Sequence, residues 1–350
     1  MYDVAIIGLG PAGATLARLL NPSLRVIAID KKGSFRKPCG GLLATDAQKA
    51  LSKLNLTLPK DVLVDPQIFA VKTIDTNQNL LRYYQRFYVN LDRHKFDMWL
   101  TSLIPSHVEK VSDAICTDLK KVENSYEIVY TKSNLEYKIN AKYVVGADGA
   151  NSIVRKKLIS DRKIPQYISI QQWFVEQHQT PFYSCIFDRD ITDSYCWSVS
   201  KDGYLILGGA FPKKDGKKCF SLLTQKAKSQ GFSLGSPLKT EACLISMPRK
   251  IRDFCVGKDG AFLIGEAAGL ISPSSLEGIS YALNSAHKLA LHINKGGKNI
   301  MLRFRISSIP TRLKLILKLL KKPFMYNSLL RKIIMKTGIQ SIDVIKNPLN

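Results

Sequence analysis

Long apolar runs, metal-ligand patterns and cysteine pairs in CxxC spacing are all missing from this sequence of 350 residues. No run reaches the roughly 18 apolar residues that a membrane-spanning helix needs, so none is expected. The amino terminus has no basic segment before its first apolar run, so no secretory signal is expected either. Seven cysteines form an odd set, which is typical of reduced thiols in a cytoplasmic protein. The five histidines follow no ligand spacing, so no metal is expected.

Acidic residues become scarce toward the end of the chain. The formal net charge is +24, and from Lys288 onward 14 lysines and arginines accompany the single acid Asp343. This bias indicates either a lysine-rich solvated surface or an anionic partner of the carboxyl-terminal region. Few aromatic residues are interleaved with these cations and no nucleic-acid motif is present, so the partner is not expected to be nucleic acid.

Helical periodicity runs through this basic segment. Apolar residues share one helical face and lysines another: Leu313, Ile316, Leu317 and Leu320 against Lys314, Lys318 and Lys321. Pro323 is predicted to end this helix, and a second basic amphipathic helix is predicted from about Ser328 to Lys336. Two roles stay open for these helices: peripheral contact with a membrane, or a cap packed on the preceding domain.

The strongest motif lies at the amino terminus. An apolar run over residues 3–7 predicts a buried strand, a GxGxxG turn follows it, and a helix and a second buried strand come next. In such a unit Gly8 permits a tight turn, Gly10 admits a pyrophosphate, and Gly13 lets the helix pack close to the strand. Asp30 ends the second strand, where a carboxylate can bind ribose hydroxyls. The unit predicts a bound dinucleotide and does not distinguish FAD from NAD.

Two further glycine-rich turns follow buried strands. One spans 146–149 and contains Asp148, and the other spans 265–269 and contains Glu266. One fingerprint and two such turns exceed what a simple NAD dehydrogenase needs. Between them, from Tyr167 to about Glu241, the chain has aromatic-rich strands, which predict a platform sheet beside a substrate cavity.

Two other places carry candidate ligand contacts. Arg93 falls in the first turn of a helix whose predicted N-cap is Asp92, and this position favours an outward reach toward a ligand anion. Cys39 precedes Gly40 and Gly41, and this pair of glycines indicates backbone held close to a flat or charged group.

Together these motifs resemble one superfamily. The GxGxxG start, the stretch GADGANSxVR and the stretch GEAAGxxxPxxxEGI are similar to the FAD-binding signatures of the para-hydroxybenzoate hydroxylase superfamily. Within it, two shorter patterns resemble the geranylgeranyl reductase family: Lys37-Pro38-Cys39-Gly40-Gly41 and Tyr195-x-Trp197. The family continues with Tyr-x-Trp-x-Phe-Pro and a later Gly-x-Gly, where this chain has Val199-Ser200 and Gly208-Gly209-Ala210.

The resemblance implies FAD as the cofactor and a site for it. The implied contacts run from the adenosine ribose to the flavin ring: Gly8, Gly10, Ala12, Gly13, Asp30, Lys31, Cys39, Gly40, Gly41, Arg93, Asp148, Gly265, Glu266, Gly278 and Ile279. Tyr195 and Trp197 are implied to line the substrate cavity, and Cys39 is the implied catalytic residue near the ring.

The implied fold is α/β, α+β overall. A Rossmann-type FAD-binding domain over 1–65, 91–160 and 245–292 is interleaved with an antiparallel β-sheet substrate domain over 66–90 and 161–244. Basic helices occupy 293–350. Because three segments of one domain are separated by two of the other, the site is expected to assemble from loops far apart in the chain.

The implied activity is FAD-dependent reduction, in which N5 of the reduced flavin delivers hydride to a C=C bond of an isoprenoid-like or other apolar substrate such as a prenyl lipid. Two alternatives stay open: a flavin monooxygenase that hydroxylates an aromatic substrate, and a flavin-binding resistance or regulatory protein with little turnover. Since the chain has one dinucleotide fingerprint, electrons are expected from transiently docked NAD(P)H or from an electron-donor protein. The expected location is the cytoplasm, or the inner face of its membrane.

Overall fold

The computed structural model describes residues 1–31, 37–159, 163–178 and 182–342. Most of the loop predicted over 31–36 lies outside these ranges. The first part of the chain alternates strands and helices: β1 (Tyr2–Ile7), α1 (Pro11–Leu19), β2 (Val26–Asp30), β3 (Leu42–Leu43), α2 (Thr45–Lys53), β4 (Ile68–Asp75), β5 (Leu80–Asn90), α3 (Arg93–Ser102), β6 (Val108–Ser112), β7 (Ala114–Val122), β8 (Ser125–Lys132), β9 (Leu135–Gly146) and α4 (Ile153–Leu158).

The second part begins with antiparallel strands and ends in helices: β10 (Gln166–Val175), β11 (Tyr183–Phe187), β12 (Cys196–Lys201), β13 (Tyr204–Pro212), α5 (Gly216–Ser229), β14 (Lys239–Ser246), β15 (Gly257–Lys258), β16 (Ala261–Leu263), α6 (Ile279–Lys295), α7 (Ile300–Ser307), α8 (Ile309–Tyr326), α9 (Ser328–Thr337) and β17 (Ser341–Ile342). The fold is α/β, as predicted.

The first sheet has a parallel centre. Its strand order is β15-β16-β9-β1-β2-β6, and the β7–β8 hairpin joins through β9. The pairs of β1 with β2 and with β9 are both parallel, with Val4 opposite Val26 on one side and Tyr143 on the other. Val4, Ile27 and Val144 are completely buried. Because the paired parts of these central strands are covered on both faces, they are mainly apolar, which is why the sequence predicts them as buried strands.

The second sheet is almost wholly antiparallel. Its strand order is β14-β10-β13-β12-β11-β4-β5-β17, and only β11 and β4 run parallel. One face packs against α5 through Phe174, Phe211 and Phe220. The other face carries a second apolar cluster that includes Tyr183 and Trp197. The sheet therefore presents an aromatic surface on the side opposite α5.

The carboxyl-terminal helices pack on both sheets. Phe304 of α7 and Leu315 of α8 are completely buried in the core of the first sheet, whereas β17 pairs with β5 of the second. The prediction that Pro323 ends the helix is wrong, since α8 continues to Tyr326. A proline so near the end removes one backbone donor without breaking the last turn. In the parts of the chain that the structure describes, no helix is long and apolar enough to cross a membrane.

Candidate active site

One large cavity is lined by residues of both sheets. Its volume is about 1220 Å³, more than the roughly 300–1,000 Å³ of a pocket that holds a single ligand. Of the 17 predicted site positions, 15 line its wall. Gly13 and Gly265 lie behind the wall, against Gly8 and Ala12 respectively. The size of the cavity and its two-sheet lining suit a long cofactor with a second ligand beside it.

Backbone conformation builds the amino-terminal end of the cavity. Gly8 has φ +94°, and a Cβ there would lie 2.8 Å from the Ala147 carbonyl oxygen. A Cβ at Gly13 would overlap the Gly8 carbonyl oxygen, whereas one at Gly10 would meet nothing within 4 Å. Helix α1 begins just after Gly10 with no side-chain cap. Its first N–H groups are therefore available to an anion beside Gly10.

Asp30 ends β2 beside this turn. Its Oδ1 accepts a hydrogen bond of 3.1 Å from the Leu9 N–H. The carboxylate also lies on the cavity wall, next to Lys31. Asp30 therefore fixes the turn and faces the place where the adenosine ribose is predicted.

Asp148 forms the second turn. Its Oδ2 accepts a hydrogen bond of 2.7 Å from the Ile153 N–H at the start of α4. Burial raises the pKa of Asp148, against the hydrogen bonds from Ser152 and Ile153 that favour its charged form. Its buried Oδ1 has no hydrogen-bond partner among the described residues. An orphaned oxygen on a cavity wall fits a site completed by a ligand that donates a hydrogen bond.

Glu266 occupies the third turn and is held from two sides. Its Oε1 accepts a hydrogen bond of 2.8 Å from the Ser246 N–H, and its Oε2 pairs with Lys37. Burial alone would lower the pKa of Lys37, but the Glu266 carboxylate outweighs it and raises that pKa. The ion pair links the third turn to the segment that carries Cys39.

Arg93 differs from its prediction. Asp92 is the N-cap of α3, as predicted, and accepts hydrogen bonds from the N–H groups of His94 and Lys95. The Arg93 side chain, however, turns back to Asp97 one helical turn later, with Nε 2.8 Å from Oδ1. Burial would lower the pKa of Arg93, but Asp97 and Cys39 outweigh it and raise that pKa. Arg93 lines the cavity as a paired cation, because a partly buried guanidinium binds the nearest carboxylate.

The loop 39–41 is held tightly against the chain. Gly41 has φ +63°, and a Cβ there would overlap the Leu91 carbonyl oxygen. Beneath the loop lies buried Lys201, whose Nζ donates to Asn90 Oδ1 at 2.5 Å, to the Leu91 carbonyl at 2.7 Å and to the Gly41 carbonyl at 3.4 Å. Burial lowers the pKa of Lys201 to about 8. The loop is therefore fixed from below while its upper side faces the cavity.

The start of α6 meets the same cavity. Gly278 and Ile279 line the wall, and the helix has no side-chain cap. A helix of 17 residues concentrates partial positive charge at this end. The free N–H groups can stabilise negative charge that develops on a bound ring.

Aromatic rings form the opposite end of the cavity, here called the chamber. Six aromatic residues define it: Tyr84, Tyr88, Tyr183, Phe187, Tyr195 and Trp197; Phe324 of α8 is a seventh aromatic residue on the cavity wall. The Tyr195 hydroxyl donates to the Ser275 carbonyl at 2.8 Å, and the Tyr88 hydroxyl donates to Glu277 Oε1 at 2.9 Å. Because these hydroxyls are bonded to the loop before α6, the chamber offers ring faces more than polar groups to a ligand.

Three residues that support the site were missed in the sequence. Lys37 pairs with Glu266, Lys201 fixes the loop 39–41, and Arg155 donates to the carbonyls of Ala267 at 3.0 Å and Asp253 at 2.9 Å. Arg155 and Lys37 lie inside the recognised motifs, so those motifs could have indicated both of them. Nothing around Lys201 marks it as a buried lysine.

The fold and the three turns are those of FAD-binding flavoproteins. Residues 112–204 match the family described as FAD binding domain. The chain is 49% identical over 351 residues to protein CbrA of Escherichia coli O6:H1, covering 99% of this chain and 96% of the relative. It is 48% identical to CbrA of Escherichia coli K12, with 99% of both chains covered. The chain belongs to the CbrA family.

Solved structures share the fold at low identity. A geranylgeranyl bacteriochlorophyll reductase-like protein from Thermoplasma acidophilum superposes with a TM-score of 0.80 at 18% identity, covering 99% of this chain and 93% of that one. The flavin-dependent halogenase CmlS superposes with a TM-score of 0.71 at 15% identity, covering 91% and 63%. PqsL of Pseudomonas aeruginosa, in complex with 2-aminobenzoylacetate, gives 0.71 at 16% identity, covering 97% and 99%. One architecture therefore occurs in flavoproteins with different chemistry.

Proposed function

We propose that this protein is an FAD-dependent reductase that saturates a C=C bond of an apolar, isoprenoid-like substrate. The observation that carries the proposal is the continuity of one cavity from the glycine turns to the aromatic chamber. FAD, when bound and reduced, supplies a hydride at N5. The chamber is mainly apolar, and the chain has no second dinucleotide motif that would place a nucleotide there. The chamber therefore suits an apolar substrate.

The residues of the chain divide the remaining work. The N–H groups after Gly10 bind the pyrophosphate, and the start of α6 stabilises negative charge on the ring. The rings of Tyr195 and Trp197 bind the apolar part of the substrate. Cys39 lies where the two ends meet: a Cβ at Gly40 would have Trp197 Nε1 as its nearest neighbour, at 3.9 Å. The Cys39 thiol is the proton donor that completes saturation of the bond.

Electrons come from a donor that docks transiently. Only the turn at Gly8 has the dinucleotide fingerprint, so NAD(P)H has no resident domain of its own. NAD(P)H, released afterwards as NAD(P)+, or an electron-donor protein would supply the electrons to bound FAD. Mixing the protein with NADPH without oxygen, and following loss of the oxidised flavin absorbance, distinguishes these two donors.

A second candidate function is hydroxylation of an aromatic substrate by a flavin monooxygenase. The feature that favours it is the aromatic chamber, since planar substrates stack well on rings such as Tyr195 and Trp197. The complex of PqsL with 2-aminobenzoylacetate shows that a protein of this fold accommodates an aromatic acid.

The deciding experiment starts from the photochemically reduced protein without oxygen. Addition of geranylgeraniol or a prenyl lipid is expected to reoxidise the flavin and to yield a saturated product by mass spectrometry. Reoxidation that needs oxygen and consumes it together with an aromatic substrate would contradict the reductase and support the monooxygenase. A reduced flavin that no tested acceptor oxidises would contradict both and support a binding protein with little turnover.

The role of Cys39 has its own test. Cys39→Ser is expected to retain FAD and flavin reduction while the saturated product forms about tenfold or more slowly, since a hydroxyl is a weaker acid than a thiol. Cys219→Ser is the matched control, because Cys219 lies on α5 and does not line the cavity. Unchanged turnover in Cys39→Ser would remove the thiol from the mechanism.

A further inference from the structure

The last helices expose apolar side chains to solvent. Of the 25 large hydrophobic residues that are exposed among the described residues, 11 lie between Leu302 and Ile339. On α8 five of them share roughly 80° of the helix surface at 100° per residue: Ile309, Leu313, Leu317, Leu320 and Phe324. Their exposure runs from 46% to 66%. We call these five residues the apolar stripe; an exposed row of this length marks an interaction surface.

Contacts on the other faces of α8 and α9 keep the apolar stripe pointing outward. Leu315, on the opposite side of α8, is completely buried. Lys314 Nζ lies 2.6 Å from Asp46 Oδ2 on α2, and buried Arg331 Nε lies 2.7 Å from Asp75 Oδ2 on β4. The sequence left open whether this segment caps the domain or contacts a membrane. The structure shows that it packs on the domain with one face. Of the four residues predicted on the apolar face, Leu313, Leu317 and Leu320 are exposed, whereas Ile316 packs against the core.

The positive charge of the carboxyl-terminal helices distinguishes between possible partners for the apolar stripe. From Lys288 onward the chain carries 14 lysines and arginines against one acid, and exposed Lys321 lies along one edge of the apolar stripe. A second copy of the chain would bring like charges together on this face. A nucleic acid would match the charge and leave the leucines without an apolar partner. An anionic bilayer surface offers acyl chains to the leucines and head groups to the lysines.

We propose that α7 to α9 dock this protein on the surface of an anionic lipid bilayer, with the apolar stripe inserted at the level of the acyl chains. The surface continues into the cavity, since Phe324 of the apolar stripe and Ile333, Ile334 and Ile339 beyond it line the cavity wall. Docking therefore turns one mouth of the chamber toward the bilayer. This inference rests on the surface and on the cavity, and it holds whichever reaction the flavin performs.

The test measures binding to vesicles instead of turnover. The full-length protein is sedimented with vesicles of phosphatidylglycerol and phosphatidylcholine, and with vesicles of phosphatidylcholine alone. Binding is expected to the anionic vesicles, to fall with rising salt, and to be weak on the neutral ones. The triple variant Leu313→Gln, Leu317→Gln, Leu320→Gln is expected to bind at least about tenfold more weakly. None of these three residues lines the cavity.

The matched control replaces exposed apolar residues elsewhere: Phe69→Gln, Leu135→Gln and Leu238→Gln, at 69%, 61% and 58% exposure. This control is expected to bind like the unmodified protein, and flavin absorbance and thermal melting show that both variants are folded. Equal vesicle binding by the two triple variants would overturn the proposal. So would a stable dimer without vesicles that the Leu313, Leu317 and Leu320 changes dissociate, because a second copy would then cover the stripe.

Discussion

The two ends of the cavity are formed by different parts of the residues, backbone at one end and side chains at the other. At the cofactor end, backbone makes the site: the turns at Gly8, Gly149 and Gly265 all have positive φ, and the helix starts supply N–H groups. At the chamber end, side chains make the site, with rings from β5, β11 and β12. A site made of backbone demands particular residues at particular positions. A site made of rings tolerates many sequences.

The treatment of charge differs in the same way. At the cofactor end two cations are held by carboxylates of the chain, Lys37 by Glu266 and Arg93 by Asp97. Backbone N–H groups and helix dipoles are therefore expected to contribute strongly to phosphate binding. In the chamber the hydroxyls of Tyr88 and Tyr195 are bonded to the loop before α6. The comparison predicts that substitutions at the first end alter FAD content and those at the second alter the substrate.

The largest effect is expected from Gly13→Val, which breaks the backbone end. Its side chain would overlap the Gly8 carbonyl oxygen, so we expect loss of folded protein. Gly10→Ala is the matched variant, because a Cβ there meets no protein atom within 4 Å. It should lose most of its FAD and melt like the FAD-free form of the unmodified protein. Soluble yield, thermal melting and flavin absorbance check both, and a Gly13→Val protein with normal FAD content would contradict this account of the turn.

The next largest effect is expected from Arg331→Met, which removes the ion pair that joins α9 to β4 of the second sheet. The change leaves buried Asp75 without its ion-pair partner and should lower the free energy of unfolding by about 3–5 kcal/mol. Urea unfolding measures this loss, and limited proteolysis should cut first within 300–342. Arg331→Met with Asp75→Asn should recover most of the stability. A double variant that is no more stable than Arg331→Met would show that the Arg331–Asp75 ion pair does not hold α9 on the second sheet.

A smaller effect is expected from Gly208→Ala, which tests whether the chamber binds the substrate. A Cβ at Gly208 would lie 2.8 Å from Trp197 Nε1, so Gly208→Ala should displace the indole. We expect apolar substrates to bind about tenfold more weakly, about 1.4 kcal/mol, with unchanged FAD content. Gly235→Ala is the control, since a Cβ there meets nothing within 4 Å. Equal substrate binding by both variants would show that Trp197 is packing and not a substrate contact.

The smallest effect concerns Lys201, where the two ends join. Its pKa is lowered from 10.5 to about 8 by burial, so between these values the unfolded chain binds more protons than the folded one. The Lys201 contribution to stability therefore rises with pH across this window, by roughly 1.4 kcal/mol per pH unit at most. Between pH 8 and 9 the rise amounts to about 1 kcal/mol. When urea unfolding of both proteins is compared at these two pH values, the Lys201→Met variant should lack this rise. Identical pH dependence in the two proteins would contradict a buried lysine with this pKa.

The same contrast explains what the sequence could predict. The parallel strands could be predicted because strands buried on two faces are mostly apolar. The turn at Gly8 could be predicted because few residues other than glycine adopt a positive φ. The pairing of Arg93 with Asp97 could not be predicted, because an arginine at the start of a helix can point outward or back to a carboxylate one turn later. The exposed face of α8 was also hidden, because periodicity groups Leu313, Leu317 and Leu320 on one side without showing which side faces the core.

The departure from the family pattern at Gly208 has a structural reason that the sequence did not reveal. Trp197 and Gly208 are opposite each other on β12 and β13, and the indole lies across the glycine. The replacement of Gly-x-Gly by Gly208-Gly209-Ala210 therefore preserves a glycine where the ring needs space. Cross-strand register, which periodicity alone does not fix, decides this.

The most direct test of the central claim is the visible absorption spectrum of the purified protein, followed by extraction and mass analysis of what it binds. A cavity built from these turns predicts a yellow protein with about one FAD per chain, or a colourless one that takes up FAD and turns yellow. Apolar compounds displaced from the chamber should appear in the same extract. A colourless protein that cannot be loaded with FAD would contradict the account.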